Sequence, residues 1–393
     1  MAEPHALTRN VRDTRGASPA TGYRWPESRT GDDMADARLC WRAMSEGGAR
    51  LKLTRDQILG HRRRVSALDA RLPAGSASLE AAASAGLQDS MPRAALLSLH
   101  ARVTGVHSGS WEDPALIQIW GPRYSNYVVA ARDRALFTIA RYPDDVRTQR
   151  VAEDMAARLA EHIGEGRMRF DDATAVVEGN ANRMRYATLT GTVAIRWDGA
   201  RQAEVWIVPR PAMTPVDARR VLSRRYLHVF GPTTHASFSE WAGIGPAQGR
   251  ATFDELAVRR ELVEVTTPLG EASILASDET SFRTPPDQAA AARLLPSGDT
   301  YFLLQGRDRE LLVPDAAQRA LLWTTRVWPG ALMVGGEVAG TWRRVQHKVT
   351  ISVWRALSPA ERTAVEVEAL SLPLPRLVKP IAVAWHNEST HAA

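Results

Sequence analysis

The sequence predicts an α+β protein of three tandem winged-helix modules followed by a C-terminal β-barrel-like domain. Two patterns predict it. Before about residue 278, helical periodicity recurs in three groups, and each group ends in a strand or hairpin. From Arg293 onward the chain changes to short apolar runs separated by glycine turns, with one helix. Size agrees with this division: 393 residues, 44% hydrophobic and 24% charged, fill more than one core.

Residues 1–50 show scattered Pro, Gly, Ser and charge without periodicity and read as a disordered extension, with Met34 and Met44 as alternative starts. The first module spans 51–143. Thr54 followed by Gln57 marks a helix start, and Ile58, Val65 and Leu68 continue at helical spacing. A turn at Leu72-Pro73-Ala74-Gly75 leads to a second helix from Leu79 to about Ala85, and a longer helix follows Gln88-Asp89-Ser90. Trp111-Glu112-Asp113-Pro114 predicts a short helix over 115–120. Tyr124 to Ala130 alternates as a strand, and Asp133 to Arg141 is helical.

The second module, 144–212, holds helices over 146–163, 168–177 and 180–189. The runs 192–197 and 202–208 then flank Asp198-Gly199-Ala200-Arg201, a hairpin signal. The third, 213–278, starts with Thr214 and Pro215 ahead of a helix to Phe230. Helices over 236–242 and 252–256 follow, then a hairpin around Pro268-Leu269-Gly270. No literal repeat relates the three. In the last domain, 293–385, strands are expected at 301–305, 311–313, 331–334, 337–342, 349–354 and 381–385, with a helix over 358–372.

Composition narrows the function. Net charge is +6 with almost all of it arginine, since lysine occurs only at Lys52, Lys348 and Lys379. A basic balance favours a polyanionic partner, and guanidinium forks suit phosphates and base edges. A GC-rich genome also raises arginine. Cys40 is the single cysteine, so no disulfide framework or cysteine zinc site exists. No apolar run approaches the ~20 residues of a membrane span, and a cytoplasmic monomer is expected. His61, His100, His107, His162, His228, His235 and His347 show no ligand spacing, and nucleotide-binding glycine motifs are absent. Neither a metal nor a cofactor is expected.

The chemistry-bearing stretch is Gln88-Asp89-Ser90. Leu96, Leu99 and Val103 bury one face of the helix after it. In an extended corner, i and i+2 share a side, so Gln88 and Ser90 face the same way. Such a corner supports catalysis, but polar residues just before a helix are more often caps, and Asp89 or Ser90 fits that role. Candidate DNA contacts are Arg93 just after the corner; Arg123; Asn182, Arg183 and Arg185 on the short helix of the second module; and Arg201 at its hairpin tip. The second-module residues read equally as a solvated face. Arg219, Arg220, Arg224 and Arg225 form either a phosphate track or a solvated helix face.

Gly86-Leu87-Gln88-Asp89-Ser90-Met91-Pro92-Arg93-Ala94-Ala95 resembles the signature of the AlkZ-like winged-helix DNA-binding family. The likeness continues at 225–232, 293–299 and 335–343 and covers roughly 51–385. It implies tandem winged helices, a C-terminal β-barrel and double-stranded DNA as partner. Some members remove alkylated bases or unhook crosslinks, and others only bind DNA. The glycosylase members carry Gln, an aliphatic residue, then Gln or Asp. Here only Gln88 matches, with Asp89 in the middle and Ser90 third; Ser125-Asn126-Tyr127 stands where many members have Thr-Leu-His. The resemblance thus implies water placement by Gln88 with Asp89 or Ser90, or a non-catalytic DNA-binding protein.

Overall fold

The computed structural model describes residues 50–91, 93–177, 181–197, 202–304, 306–375 and 377–386. The expected N-terminal extension, Arg50 apart, lies outside them. β1 (Leu51–Lys52) and α1 (Arg55–Val65) come first. Thr54 Oγ1 accepts the Gln57 N–H and Gln57 Oε1 accepts the Thr54 N–H, so the predicted start is a reciprocal cap. β1 pairs in parallel with a distant strand, Leu51 opposite Val265.

The first group contains α2 (Ser76–Ala82), β2 (Leu87–Gln88), α3 (Ala94–Arg102), β3 (Leu116–Trp120) and β4 (Asn126–Ala130). Its sheet order is β2-β4-β3. The expected helix over 115–120 is thus a strand. Asp113 and Pro114 imitate a helix start, but Asp113 Oδ1 accepts the Ala115 N–H in a local turn. The two isoleucines of Leu-Ile-Gln-Ile-Trp then favour extended pairing with β4.

After α4 (Arg134–Thr138), the second group runs α5 (Val146–Ile163), β5 (Met168–Arg169), α6 (Phe170–Val176), α7 (Ala181–Ala187), β6 (Val193–Arg196) and β7 (Glu204–Ile207). Its sheet order is β5-β7-β6, and the hairpin turn 198–201 lies outside the described residues. The expected helix over 168–177 gives its first two residues to β5. The third group is α8 (Pro215–Phe230), α9 (His235–Ala242), α10 (Pro246–Val258), β8 (Leu262–Thr267) and β9 (Gly270–Leu275). Thr233, between α8 and α9, bridges Ser273 on β9. In all three groups, then, a short extended piece after the first helix pairs with the last strand of the hairpin.

α11 (Glu279–Arg283) leads to β10 (Ala292–Leu295), α12 (Asp308–Leu312), α13 (Ala316–Leu322), β11 (Gly330–Val334), β12 (Glu337–Val345), β13 (Lys348–Val353), α14 (Pro359–Leu370) and β14 (Ala382–His386). These strands form a five-stranded sheet in the order β10-β11-β12-β13-β14. Its two edge strands do not pair, so among the described residues the expected barrel is an open sheet. Val365 and Ala369 of α14 pack against Leu332, Val349 and Ile351 of the sheet. The strands expected at 301–305 and 311–313 are a 3-10 turn (Thr300–Phe302) and α12. Asp299 Oδ1 accepts the Tyr301 N–H and starts the turn; Tyr301, Phe302, Leu303 and Leu304 are all buried, without the alternation of a half-buried strand.

One core joins the third group to the C-terminal region through Tyr226, Phe230, Phe238, Trp241, Phe302 and Trp323. Each such burial contributes about 1.5–3 kcal/mol. The arginines of α8 belong to this architecture. Arg219 Nε donates to the Ala140 carbonyl at 3.0 Å, and Arg220 pairs with Glu255 at 2.7 Å. Arg224 pairs with Glu261 at 2.5 Å and Arg225 with Asp133 at 2.5 Å. These four side chains fasten α8 to its neighbours.

Candidate functional site

The corner before α3 is held on three sides. β2 pairs with β4, placing Gln88 opposite Tyr127. α3 carries the buried face of Ala94, Leu96 and Leu99. The loop Pro296–Asp299 closes the third side. Its Gly298 has φ +74°, and a Cβ there would come within 3.1 Å of Gln88 Oε1. That loop is fixed by Asp299, fully buried, which accepts Arg102 Nη2 at 2.7 Å, Arg102 Nη1 at 2.7 Å and Ser98 Oγ at 2.6 Å. α3 thus holds both walls: the corner at its start and the loop through its inward face.

Gln88 and Ser90 meet. Gln88 Nε2 donates to Ser90 Oγ at 3.0 Å. Gln88 is half-buried and Ser90 exposed. Gln88 Oε1 is inaccessible and has no hydrogen-bond partner among the described residues. The amide therefore keeps one acceptor uncommitted beside an exposed hydroxyl.

Asp89 points the other way and is 1% exposed. Its N–H donates to the Asn126 carbonyl at 2.7 Å. Oδ1 accepts the Ala95 N–H at 3.0 Å, and Oδ2 accepts Gln118 Nε2 at 2.8 Å. The capping alternative is what the geometry shows for this residue: Asp89 satisfies a first-turn donor of α3. Ser90 does not. Burial pushes the Asp89 carboxyl up to about 7, against the lowering by the Ala95 N–H, the Arg93 charge and Gln118.

The expected DNA contacts separate. Arg93 has φ 68° and lays its guanidinium over Trp111, 4.0 Å from the ring centre. Arg123, also left-handed at φ 53°, lies beside the buried Tyr127, whose phenol burial pushes up and Arg123 draws down. Arg185 is half-buried, and its Nε has no partner among the described residues. The side chains of Asn182 and Arg183, and all of Arg201, lie outside the described residues.

Sequence reasoning missed three groups. Gln118 holds Asp89, Gly298 walls Gln88, and Arg102 anchors the loop. Each acts across a long stretch of chain, so local pattern carried no signal for it. The histidines hold one surprise: His61, His228 and Asp278 come together. Both ring nitrogens of His61 are engaged, by Ser281 Oγ and the His228 carbonyl at 2.8 Å each, and His228 Nδ1 meets Asp278 at 2.9 Å. The trio is thus tied into hydrogen bonds of its own. A cavity of about 380 Å³ lies at the far end of α3, lined by Val103, Thr104, His107 and Asp113, away from the corner. Among the described residues, no helix is long and apolar enough to cross a membrane.

The sequence model of a family described as DNA glycosylase AlkZ-like matches residues 81–372. Among solved structures, Streptomyces sahachiroi DNA glycosylase AlkZ is similar at 16% identity with a TM-score of 0.68, over 85% of this chain and 100% of that one. A search of curated proteins finds no match.

Proposed function

Because the chain belongs to the AlkZ-like DNA glycosylase family, we propose that it is a DNA-repair glycosylase hydrolysing the N-glycosidic bond of alkylated bases in double-stranded DNA. The observation that carries this reading is the Gln88–Ser90 pair, with one amide acceptor uncommitted. The exposed Ser90 Oγ, oriented by the Gln88 amide, holds a water beneath the anomeric carbon. The C1′–N bond breaks, and the cationic alkylated base leaves neutral with the bonding electrons. The water oxygen bonds to C1′ and its proton passes to solvent. Such a leaving group needs no strong acid, so an amide and a hydroxyl suffice. Asp89 supports α3 rather than touching substrate.

The three helical groups serve as winged-helix modules. Their shared pairing, a short strand against the second hairpin strand, supports this reading. Arg93, Arg123, Asn182, Arg183, Arg185 and Arg201 supply phosphate and base contacts.

The test is excision from a 7-methylguanine duplex, then from a crosslinked duplex, scored as abasic sites. Wild type should release the base. Gln88→Ala should lower the rate by about 10²-fold or more at unchanged DNA affinity. Ser90→Asp should raise it, since a carboxylate stabilises the sugar cation. No abasic sites, with salt-sensitive binding intact, would make the chain a non-catalytic DNA-binding protein.

A further inference from the structure

The middle motif residue, Asp89, lies in the backbone between Gln88 and Ser90, so whatever fixes it fixes both. Its Oδ2 is held by Gln118 on β3. That same amide reaches further. Gln118 Nε2 also donates to the Trp197 carbonyl at 3.2 Å, and Gln118 Oε1 accepts the Trp197 N–H at 2.5 Å. Trp197 directly follows β6, so a buried side chain pairs like a peptide group with the end of the second hairpin's first strand. A second contact runs in parallel. The guanidiniums of Arg93 and Arg196 both lie over Trp111, at 4.0 and 5.0 Å, and Arg196 pairs with Glu112. The end of β6 is therefore fastened to the corner twice.

We propose that Gln118 is a positioning residue for excision: acting through Asp89, it sets the Gln88–Ser90 pair and couples that pair to the β6–β7 hairpin. This rests on the glycosylase reading above. Gln118 is only 5% exposed, so its effect on the pair runs through Asp89. Without it, Asp89 keeps the Ala95 N–H and loses its second donor. The carboxyl turns, and the two flanking side chains turn with it. A displacement near 1 Å at such a pair costs about 10²-fold in rate.

The test uses the full chain, a 7-methylguanine duplex and single-turnover excision, with DNA affinity measured in parallel. Gln118→Leu keeps the volume and removes both polar ends. It should lower the rate at saturating enzyme by at least tenfold, with affinity within twofold of wild type. Gln118→Glu provides a readout that a merely structural role would not move. Its carboxyl faces that of Asp89, and Arg93 is the charged group acting most on Asp89. Two carboxyls so placed share a proton at low pH and repel when both ionise. Gln118→Glu should therefore excise near the wild-type rate at pH 6 and fall well below it at pH 8. A folded Gln118→Leu that excises at the wild-type rate, or a Gln118→Glu profile parallel to wild type, overturns the inference alone. No product from wild type overturns the glycosylase reading and this inference with it.

Discussion

At the residue scale, Gln88 and Asp89 are neighbours whose side chains face opposite ways. Alternation along an extended corner sends Gln88 and Ser90 to one side and Asp89 to the other. That much was legible in the sequence, and so was the choice between capping and chemistry, though not its answer. The answer lies in where the Asp89 carboxylate goes: to the Ala95 N–H at the helix start, and to Gln118, which stands 29 residues away and meets it through sheet pairing. Asp89 also predicts a pH dependence. Burial holds its carboxyl raised to about 7 in the folded chain, against about 3.9 in an unfolded one. A raised folded value contributes stability that is present below about pH 4 and lost as pH rises through about 7. Asp89→Ala removes this contribution and the α3 cap together. Its destabilisation, measured by urea unfolding, should be larger at pH 5 than at pH 8. A penalty that grows with pH would show that Asp89 is held as a stabilised carboxylate instead.

At the element scale, α3 decides where the site is. Its sequence announces the helix through Leu96 and Leu99, and the start near Ala94 follows from the polar corner. Local pattern assigns no role to its inward polar residues, Ser98 and Arg102. In the fold they hold Asp299, 197 residues beyond Arg102, and so position the loop that walls Gln88. The same long reach explains the misread β3: Asp113-Pro114 is a sound helix start, but Ile117 and Ile119 answer to β4. Arg102→Ala leaves the Asp299 carboxylate buried without its charge partner. Breaking a buried pair in this way costs about 3–5 kcal/mol. Urea unfolding should show that loss, and excision should fall with it because the Gly298 wall moves. A change below about 1 kcal/mol would mean that the Asp299 loop is held by other contacts.

At the scale of the whole molecule, the threefold pattern of helices and hairpins was visible in outline, yet its defining feature was not. The extended pieces at 87–88, 168–169 and 233 are two residues or fewer and leave no periodicity to read. Closure of the last domain was also beyond the sequence, because alternation in five strands fits an open sheet as well as a barrel. A net +6 suggests a polyanion, and the dense run Arg219, Arg220, Arg224 and Arg225 is the obvious track for one. Arg220 and Arg224 are instead engaged with Glu255 and Glu261, and freeing either guanidinium for a phosphate would strand its carboxylate partner. The phosphate contacts must then come from elsewhere on the surface, and Arg185 on α7 is a candidate, with no ion pair among the described residues. Each phosphate neutralised adds about −0.9 to the slope of log K against log salt. Arg185→Ala should therefore flatten the measured slope by about one contact, while Arg220→Ala and Arg224→Ala should leave it unchanged. If instead the α8 substitutions flatten the slope and Arg185→Ala does not, DNA lies along α8, and the ion pairs there open when it binds.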